Sequence, residues 1–255
     1  MRIVITGAAG SIGRELIEEF YSKHELRLID RHITTKGTSV VSNLAPNRLT
    51  SYWKPWSKSR MPPWMRVFEG ADVVIHLAAY LRHDLNWPQV LHDNVQVTWN
   101  VLEAVVKYHV SRVVFASSNW AVKATEMALA PACYEAQGLK IGSDELPRPR
   151  TLYGISKAFG EITGRTLVEE GHIGSFVAVR IGSYHPVSPK NPETRRRWIG
   201  SKDIRSLFRR CVEAEFSGFH VVYGVSAQRT APYDLSYTSR LLSWKPEQLP
   251  EKACH

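Results

Sequence analysis

Cysteine is scarce in this chain. Cys133, Cys211 and Cys254 are the only three, an odd number, widely spaced and without a Cys-x-x-Cys pair. A disulfide framework and a structural zinc site are therefore not expected, and a reducing compartment is. The ten histidines show no His-x-x-x-His spacing, so no metal site is expected either. No apolar run is long enough to span a bilayer. The opening Met1-Arg2-Ile3-Val4-Ile5 reads as a strand, without the long apolar stretch and small-residue cleavage site of a signal peptide. A soluble cytoplasmic protein is the expectation. Acidic side chains are also in the minority, 24 against 33 basic ones, for a net charge of +9. That excess suits an anionic partner or is simply a solvated basic surface. Basic residues cluster at Arg195, Arg196, Arg197, Lys202, Arg205, Arg209 and Arg210, but no nucleic-acid motif accompanies them. Neither nucleic acid nor membrane is expected as a partner.

What is present is alternation. Arg2–Thr6, Glu25–Asp30, Asp72–Ala79, Arg112–Ser118 and Ser175–Gly182 read as strands with Val/Ile-rich cores, the pattern of parallel strands buried on both faces. Helices are expected over Ser11–Lys23, Asn94–His109 and Tyr153–Glu170. In the second of these, Val97, Val101, Leu102, Val105 and Val106 share a face. This is the order of an α/β fold, a Rossmann-type doubly wound parallel sheet over residues 1–182. Residues 183–255, with a helix near Ser201–Phe216 and a strand near Gly218–Gly224, form a small C-terminal substrate-binding lobe packed on it. A further strand near Arg48–Trp53 is a weaker expectation, and Trp120–Arg150 reads as an irregular insertion.

Gly7, Gly10, Ser11, Ile12 and Gly13 lie in Thr6-Gly7-Ala8-Ala9-Gly10-Ser11-Ile12-Gly13, between the first strand and the first helix. Gly7 permits a tight turn, Gly10 lets backbone approach a pyrophosphate, and Gly13 permits close helix–sheet contact. The helix N-terminus then offers N–H groups to phosphate. Asp30 ends the second strand, where a carboxylate can accept from ribose hydroxyls and repel a 2′-phosphate, or can cap a turn. Its charge favours NAD over NADP, with adjacent Arg31 offsetting part of that repulsion. Tyr153 and Lys157 stand one helical turn apart, so an ammonium can favour phenolate. Ser117 and Ser118 end a strand at the sheet edge where ligands bind; the plainer alternative is a strand-terminating serine.

The segments TGAAGSIG, LIDRH, HLAAY, DNVQVTWNVLEA, VFASSNW and YGISK resemble, in order, an extended short-chain dehydrogenase/reductase of the NAD-dependent epimerase/dehydratase superfamily. That resemblance implies a catalytic set of Ser118, Tyr153 and Lys157. It also implies cofactor contacts from Leu77, Ala78, Ala79, Asn94 and Lys157, and a homodimer or higher homo-oligomer built on the helices Asn94–His109 and Tyr153–Glu170. The downstream LYGISKAFGE, VRIGS and SWKP are similar to uronate dehydrogenases. These would place Asn119 and Ser117 near the sugar and Arg180 on its carboxylate. The alternative for Arg180 is a structural ion pair. Trp120 stands where those enzymes carry histidine, and Leu81 near the position of a serine. Arg82 could then meet a phosphate or sulfonate. The implied activity is NAD-dependent oxidation of the anomeric carbon of an acidic sugar to a lactone. The alternatives are a nucleotide-sugar epimerase or dehydratase, a dehydrogenase of a sugar phosphate or sulfosugar, and, remotely, a non-catalytic dinucleotide-binding regulator.

Overall fold

A computed structural model of the chain describes residues 1–30, 38–41, 63–81 and 86–250. Its strands are β1 (Arg2–Thr6), β2 (Glu25–Asp30), β3 (Thr38–Val41), β4 (Val73–His76), β5 (Arg112–Ser118), β6 (Ser175–Ile181), β7 (Ser183–Tyr184), β8 (Trp198–Ile199) and β9 (Gly218–Gly224). The helices are α1 (Ser11–Phe20), α2 (Trp87–Val90), α3 (Val97–Lys107), α4 (Lys123–Leu129), α5 (Leu152–Glu169), α6 (Pro192–Arg196), α7 (Ser201–Glu213) and α8 (Ser236–Leu242). Seven strands form one parallel sheet in the order β3-β2-β1-β4-β5-β6-β9, and β7 and β8 pair separately. The expected α/β, Rossmann-type architecture is therefore present. The strand expected near Arg48–Trp53 lies outside the described residues; β3, which the apolar pattern did not single out, flanks β2 instead.

The unbroken apolar runs have a simple cause. Successive strand residues point to opposite faces, and helices cover both. Ile3 and Ile5 pack with Leu16 and Phe20 of α1 and with Leu207 and Phe208 of α7. Val4, Val74 and Val113 pack on the other face with Val101 and Val105 of α3 and with Phe176. Strand β4 stops at His76, shorter than expected, so residues 77–80 run on past the sheet edge as irregular chain. The helix expected over Asn94–His109 starts earlier, with α2, and passes through a π-helical stretch, Leu91–Gln96, before α3. The insertion expected to be irregular carries α4 between two short 3₁₀ turns, Asn119–Val122 and Ala132–Tyr134.

Residues beyond 182 engage the first part of the chain directly. Strand β9 pairs with β6 along its whole length, from Ser175↔Gly218 to Ile181↔Gly224. Helix α7 lies on α1, where Arg205 pairs with Glu15 and Glu18 and Arg209 reaches Glu19 at 2.9 Å. The Tyr184 hydroxyl also donates to Glu15, at 2.7 Å.

Helix α5 approaches the sheet closely because two glycines face buried rings. A methyl group at Gly160 would be driven into the Phe115 ring, and one at Gly164 into the Phe176 ring. Both rings are fully buried in a close-packed core and have no room to yield. Gly164→Ala is expected to destabilise the fold by about 1–3 kcal/mol, the usual penalty for overpacking. Chemical denaturation would show this as a lower midpoint at unchanged slope.

Candidate active site

The first loop makes a cradle at the carboxyl edge of β1. Gly7 takes φ +71, a left-handed value, and its N–H donates to Ile29 O at 2.9 Å. A Cβ there would sit 2.7 Å from Ala78 N, so the loop after β4 presses against this turn. Glycine is required on both counts. The first turn of α1 carries no acidic side chain, and Ser11 is exposed at its first position with Ile12 half-buried behind it. Its N–H groups and positive end suit phosphate. Asp30 lies at the end of β2 beside the turn and accepts from Ala9 N–H at 2.9 Å. The cradle fits a dinucleotide: a turn that only glycine can make, a helix start free of negative charge, and a carboxylate at the end of the next strand.

The loop 77–80 is fixed from both ends. Leu77 N–H donates to Thr6 O at 3.1 Å and Ala78 N–H to Thr6 Oγ1 at 3.3 Å. Ala79 follows, half-buried, and Tyr80 N–H donates to Asn94 Oδ1 at 2.7 Å. Asn94 comes from the π-helical stretch, and its Nδ2 donates to Tyr80 O at 3.2 Å and Ser156 Oγ at 3.1 Å. One buried amide thus ties the loop after β4 to α5.

Helix α5 begins where Thr151 caps it, its side chain accepting from Gly154 N–H at 3.0 Å. A Cβ at Gly154 would lie 2.5 Å from Trp120 O, so the first turn of α5 touches the backbone just after β5. That contact brings together Ser118, at the end of β5, and Tyr153 and Lys157 on one face of α5. Ser118 is near enough to Tyr153 to act on its phenol, and Lys157 Nζ lies 5.5 Å from the Tyr153 ring centre and 5.2 Å from that of Phe115. Burial pushes the Tyr153 phenol up to about 12, and nearby Ser118 offsets part of that rise. Burial alone brings the Lys157 amine down to about 7. Buried His76, held by Thr6 at 2.7 Å and Thr98 at 3.1 Å, is brought down to about 3 by burial and by Lys157. It is neutral and supplies no counter-charge.

Two expected site residues sit elsewhere. Arg180 is buried, its Nε and Nη2 donating to the two oxygens of Glu161 at 3.0 and 2.8 Å and its Nη1 to the Tyr223 hydroxyl at 3.1 Å. Its fork is engaged inside the protein, so it is not placed to hold a substrate carboxylate. The structural ion pair is the arrangement observed. Ser117 donates to the same Glu161 at 2.5 Å and belongs to that buried cluster. Glu161 itself escaped notice in the sequence, although it lies one turn beyond Lys157 on the buried face of α5, where an acidic side chain calls for a cation. Asn119 is buried beside Ser118. Arg82 and Arg31 lie outside the described residues. Among the described residues no group of His, Cys, Asp or Glu could hold a metal, and no helix is long and apolar enough to cross a membrane.

The model of the NAD dependent epimerase/dehydratase family matches residues 3–229. The chain belongs to this family. It is 31% identical to the NAD-dependent glucose-6-phosphate dehydrogenase of Haloferax volcanii, over 96% of this chain and 92% of that protein. It is 30% identical to the L-arabinose 1-dehydrogenase (NAD(P)(+)) of the same organism, over 96% of each. Among solved structures, a tyrosine-to-alanine variant of uronate dehydrogenase from Agrobacterium tumefaciens, complexed with NAD, superposes with a TM-score of 0.75. That match has 27% identity and covers 97% of this chain and 84% of that one. Relatives over nearly the full chain are NAD-dependent sugar dehydrogenases, in agreement with the expectation from the sequence.

A depressed lysine leaves a signature in stability. Below pH 7 the amine is charged in both the folded and unfolded chain, and folding bears the full cost of burying the charge. Above its ordinary value of 10.5 it is neutral in both, and the cost is gone. Between these limits the unfolded chain holds more protons, so this contribution to stability rises with pH. Lys157→Met should therefore stabilise the cofactor-free protein by roughly 2–4 kcal/mol near pH 6. Thermal denaturation of the two proteins across pH should show that gain vanish by about pH 10.5.

Proposed function

We propose that the protein oxidises the anomeric carbon of an acidic, uronate-like sugar to a lactone with NAD. The observation that carries this reading is the meeting of Ser118, Tyr153 and Lys157 at the carboxyl edge of the sheet, next to the glycine cradle. Gly7, Gly10, Gly13 and the start of α1 hold the pyrophosphate, and Asp30 receives the adenosine ribose hydroxyls in preference to a 2′-phosphate. Leu77, Ala78, Ala79 and Asn94 line the cofactor, and Lys157 reaches its second ribose. Bound NAD supplies the hydride acceptor.

Ser118 donates to or accepts from the reacting oxygen, and Asn119 stands beside it. Tyr153 takes the proton of the anomeric hydroxyl while the C1 hydrogen leaves with its electron pair, and the C1–O bond becomes the lactone carbonyl. Lys157 is the cation that stabilises the phenolate, and its desolvated setting makes that interaction stronger than it would be in water. A sugar phosphate is the second reading, supported by the glucose-6-phosphate dehydrogenase that aligns over 92% of its own length. Exposed Ile155 and Ile162 on α5 support a homo-oligomer built on that helix.

Tyr153→Phe is expected to lower kcat by at least about a hundredfold, the range for removing a general base. NAD binding, followed by quenching of protein fluorescence, should stay within twofold of wild type. Retention of most of the activity in that variant would contradict the assignment. A screen for NADH across glucuronate, galacturonate, glucose 6-phosphate and arabinose decides the substrate class. The acidic sugars are expected to lead, and a faster reaction with arabinose would remove the acidic part of the reading. Because Tyr153, pushed up to about 12, must lose its proton while Lys157, brought down to about 7, must keep one, kcat/KM should rise with pH up to about 7 and level off above it.

A further inference from the structure

The sheet face that α5 covers is apolar until its carboxyl edge. Phe115 of β5, Phe176 and Ala178 of β6 and Val221 of β9 are buried there. The next residues on that face are Ser117, Arg180 and Tyr223. They stand side by side, Ser117 opposite Arg180 across β5 and β6, and Arg180 opposite Tyr223 across β6 and β9. Glu161 of α5 comes down on this row. Its Oε1 accepts from the Ser117 hydroxyl at 2.5 Å and from Arg180 Nε at 3.0 Å, and its Oε2 from Arg180 Nη2 at 2.8 Å. Arg180 Nη1 donates to the Tyr223 hydroxyl at 3.1 Å. None of the four side chains is more than 3% exposed, and the proposed chemistry uses none of them.

A buried ion pair is a weak device for stability. Desolvating two charges cancels most of their attraction, and apolar side chains of the same volume serve as well. What the pair has, and apolar burial lacks, is direction. The Phe115 and Phe176 rings under Gly160 and Gly164 hold α5 against the sheet. A carboxylate with three converging donors adds a requirement that is met at one height of the helix only. Glu161 lies one turn beyond Lys157 and two beyond Tyr153 on α5. Ser117 immediately precedes Ser118 at the end of β5. The Ser117–Glu161 bond therefore ties the strand end that carries Ser118 to the helix that carries the other two.

We propose that Glu161 is a positioning residue of this site. Through Ser117 it fixes the height of α5 on the end of β5, and so the separation of Ser118 from Tyr153 and Lys157. The inference rests on those three residues being the reacting set.

Matched variants test it. Ser117→Ala cuts the tie between strand and helix and leaves the ion pair. Tyr223→Phe deletes a comparable hydrogen bond at the far end of the same cluster and leaves the tie. Ser117→Ala is expected to lower kcat about tenfold, the effect of a partial misplacement of reacting groups, with KM for NAD within about twofold of wild type. Tyr223→Phe is expected to keep kcat while lowering the melting temperature to a similar extent. Glu161→Met/Arg180→Met removes both charges together, so no unpaired charge is left inside. It should melt near wild type yet lose kcat as Ser117→Ala does. Adding Ser117→Ala to it should lower kcat no further, as for two links of one chain, whereas a serine that met the sugar would add its own loss.

An activity-independent reading comes from the ε-methylene NMR signal of Lys157, identified by its absence in Lys157→Met. The Lys157 amine on α5 lies 5.2 Å from the centre of the Phe115 ring on β5, so the ring's magnetic shielding of that end of the side chain reports the height of the helix. The signal should move in Ser117→Ala and stay in place in Tyr223→Phe. An unmoved signal in Ser117→Ala, equal kcat losses in the two single variants, or additive losses in the triple variant would overturn the proposal. Movement of the signal in a protein that makes no NADH from any sugar would uphold the tie and overturn the functional reading instead.

Discussion

Lys157 carries its amine into a space bounded by the rings of Phe115 and Tyr153 and by neutral His76. Burying a cation costs free energy unless an anion or a hydrogen-bonding partner compensates. Two other buried cations among the described residues meet the rule. Arg180 lies against Glu161 and Arg197 against Glu126, each inside a network of tyrosine hydroxyls. Lys157 is the contrast: the shift of its amine has burial as its cause and no carboxylate to oppose it. The sheet, the close approach of α5 through its glycines and the cap at Thr151 together hold a cation where only a ligand or a phenolate can compensate it. Stability is given up at the place where the proposed chemistry would use an unsatisfied charge.

The two carboxylate networks explain how such a site stays rigid. Ser117, next to Ser118, is tied to the Glu161 carboxylate at 2.5 Å. Glu161 belongs to α5, so the helix that supplies Tyr153 and Lys157 also anchors the strand end that supplies Ser118. Glu126 belongs to the stretch after β5 and draws in Arg197 and Tyr233 from the last third of the chain. Ser118, Tyr153 and Lys157 thus stand among side chains held by buried carboxylates.

Much of this was legible in the sequence because burial leaves a strong pattern. Strands covered by helices on both faces must be apolar throughout, and β1, β2 and β5 were recognisable residue for residue. The glycine turn was recognisable because only glycine allows the φ of residue 7 and the contact with Ala78. Tyr153, Lys157 and Ser118 were recognisable from spacing and from their place at the sheet edge. Partner choice was not legible. Whether Arg180 meets a substrate or Glu161 depends on how α5 packs on β6, and local spacing carries no record of that contact. The hidden clue was a glutamate in register with Tyr153 and Lys157. The partners of Glu126 were hidden for the same reason, since they lie up to 107 residues away. Strand β3 was missed because four residues beside polar chain give too short a period to read.

Titration of the Lys157 ε-amine tests the central claim most directly. Lysine labelled at the ε-carbon, with Lys157 identified by its absence in Lys157→Met, would be followed by NMR across pH in the cofactor-free protein. A midpoint near 7 is the expected result. A midpoint near the ordinary 10.5 would mean that the amine is paired or solvated, and would contradict a site organised around an uncompensated buried cation.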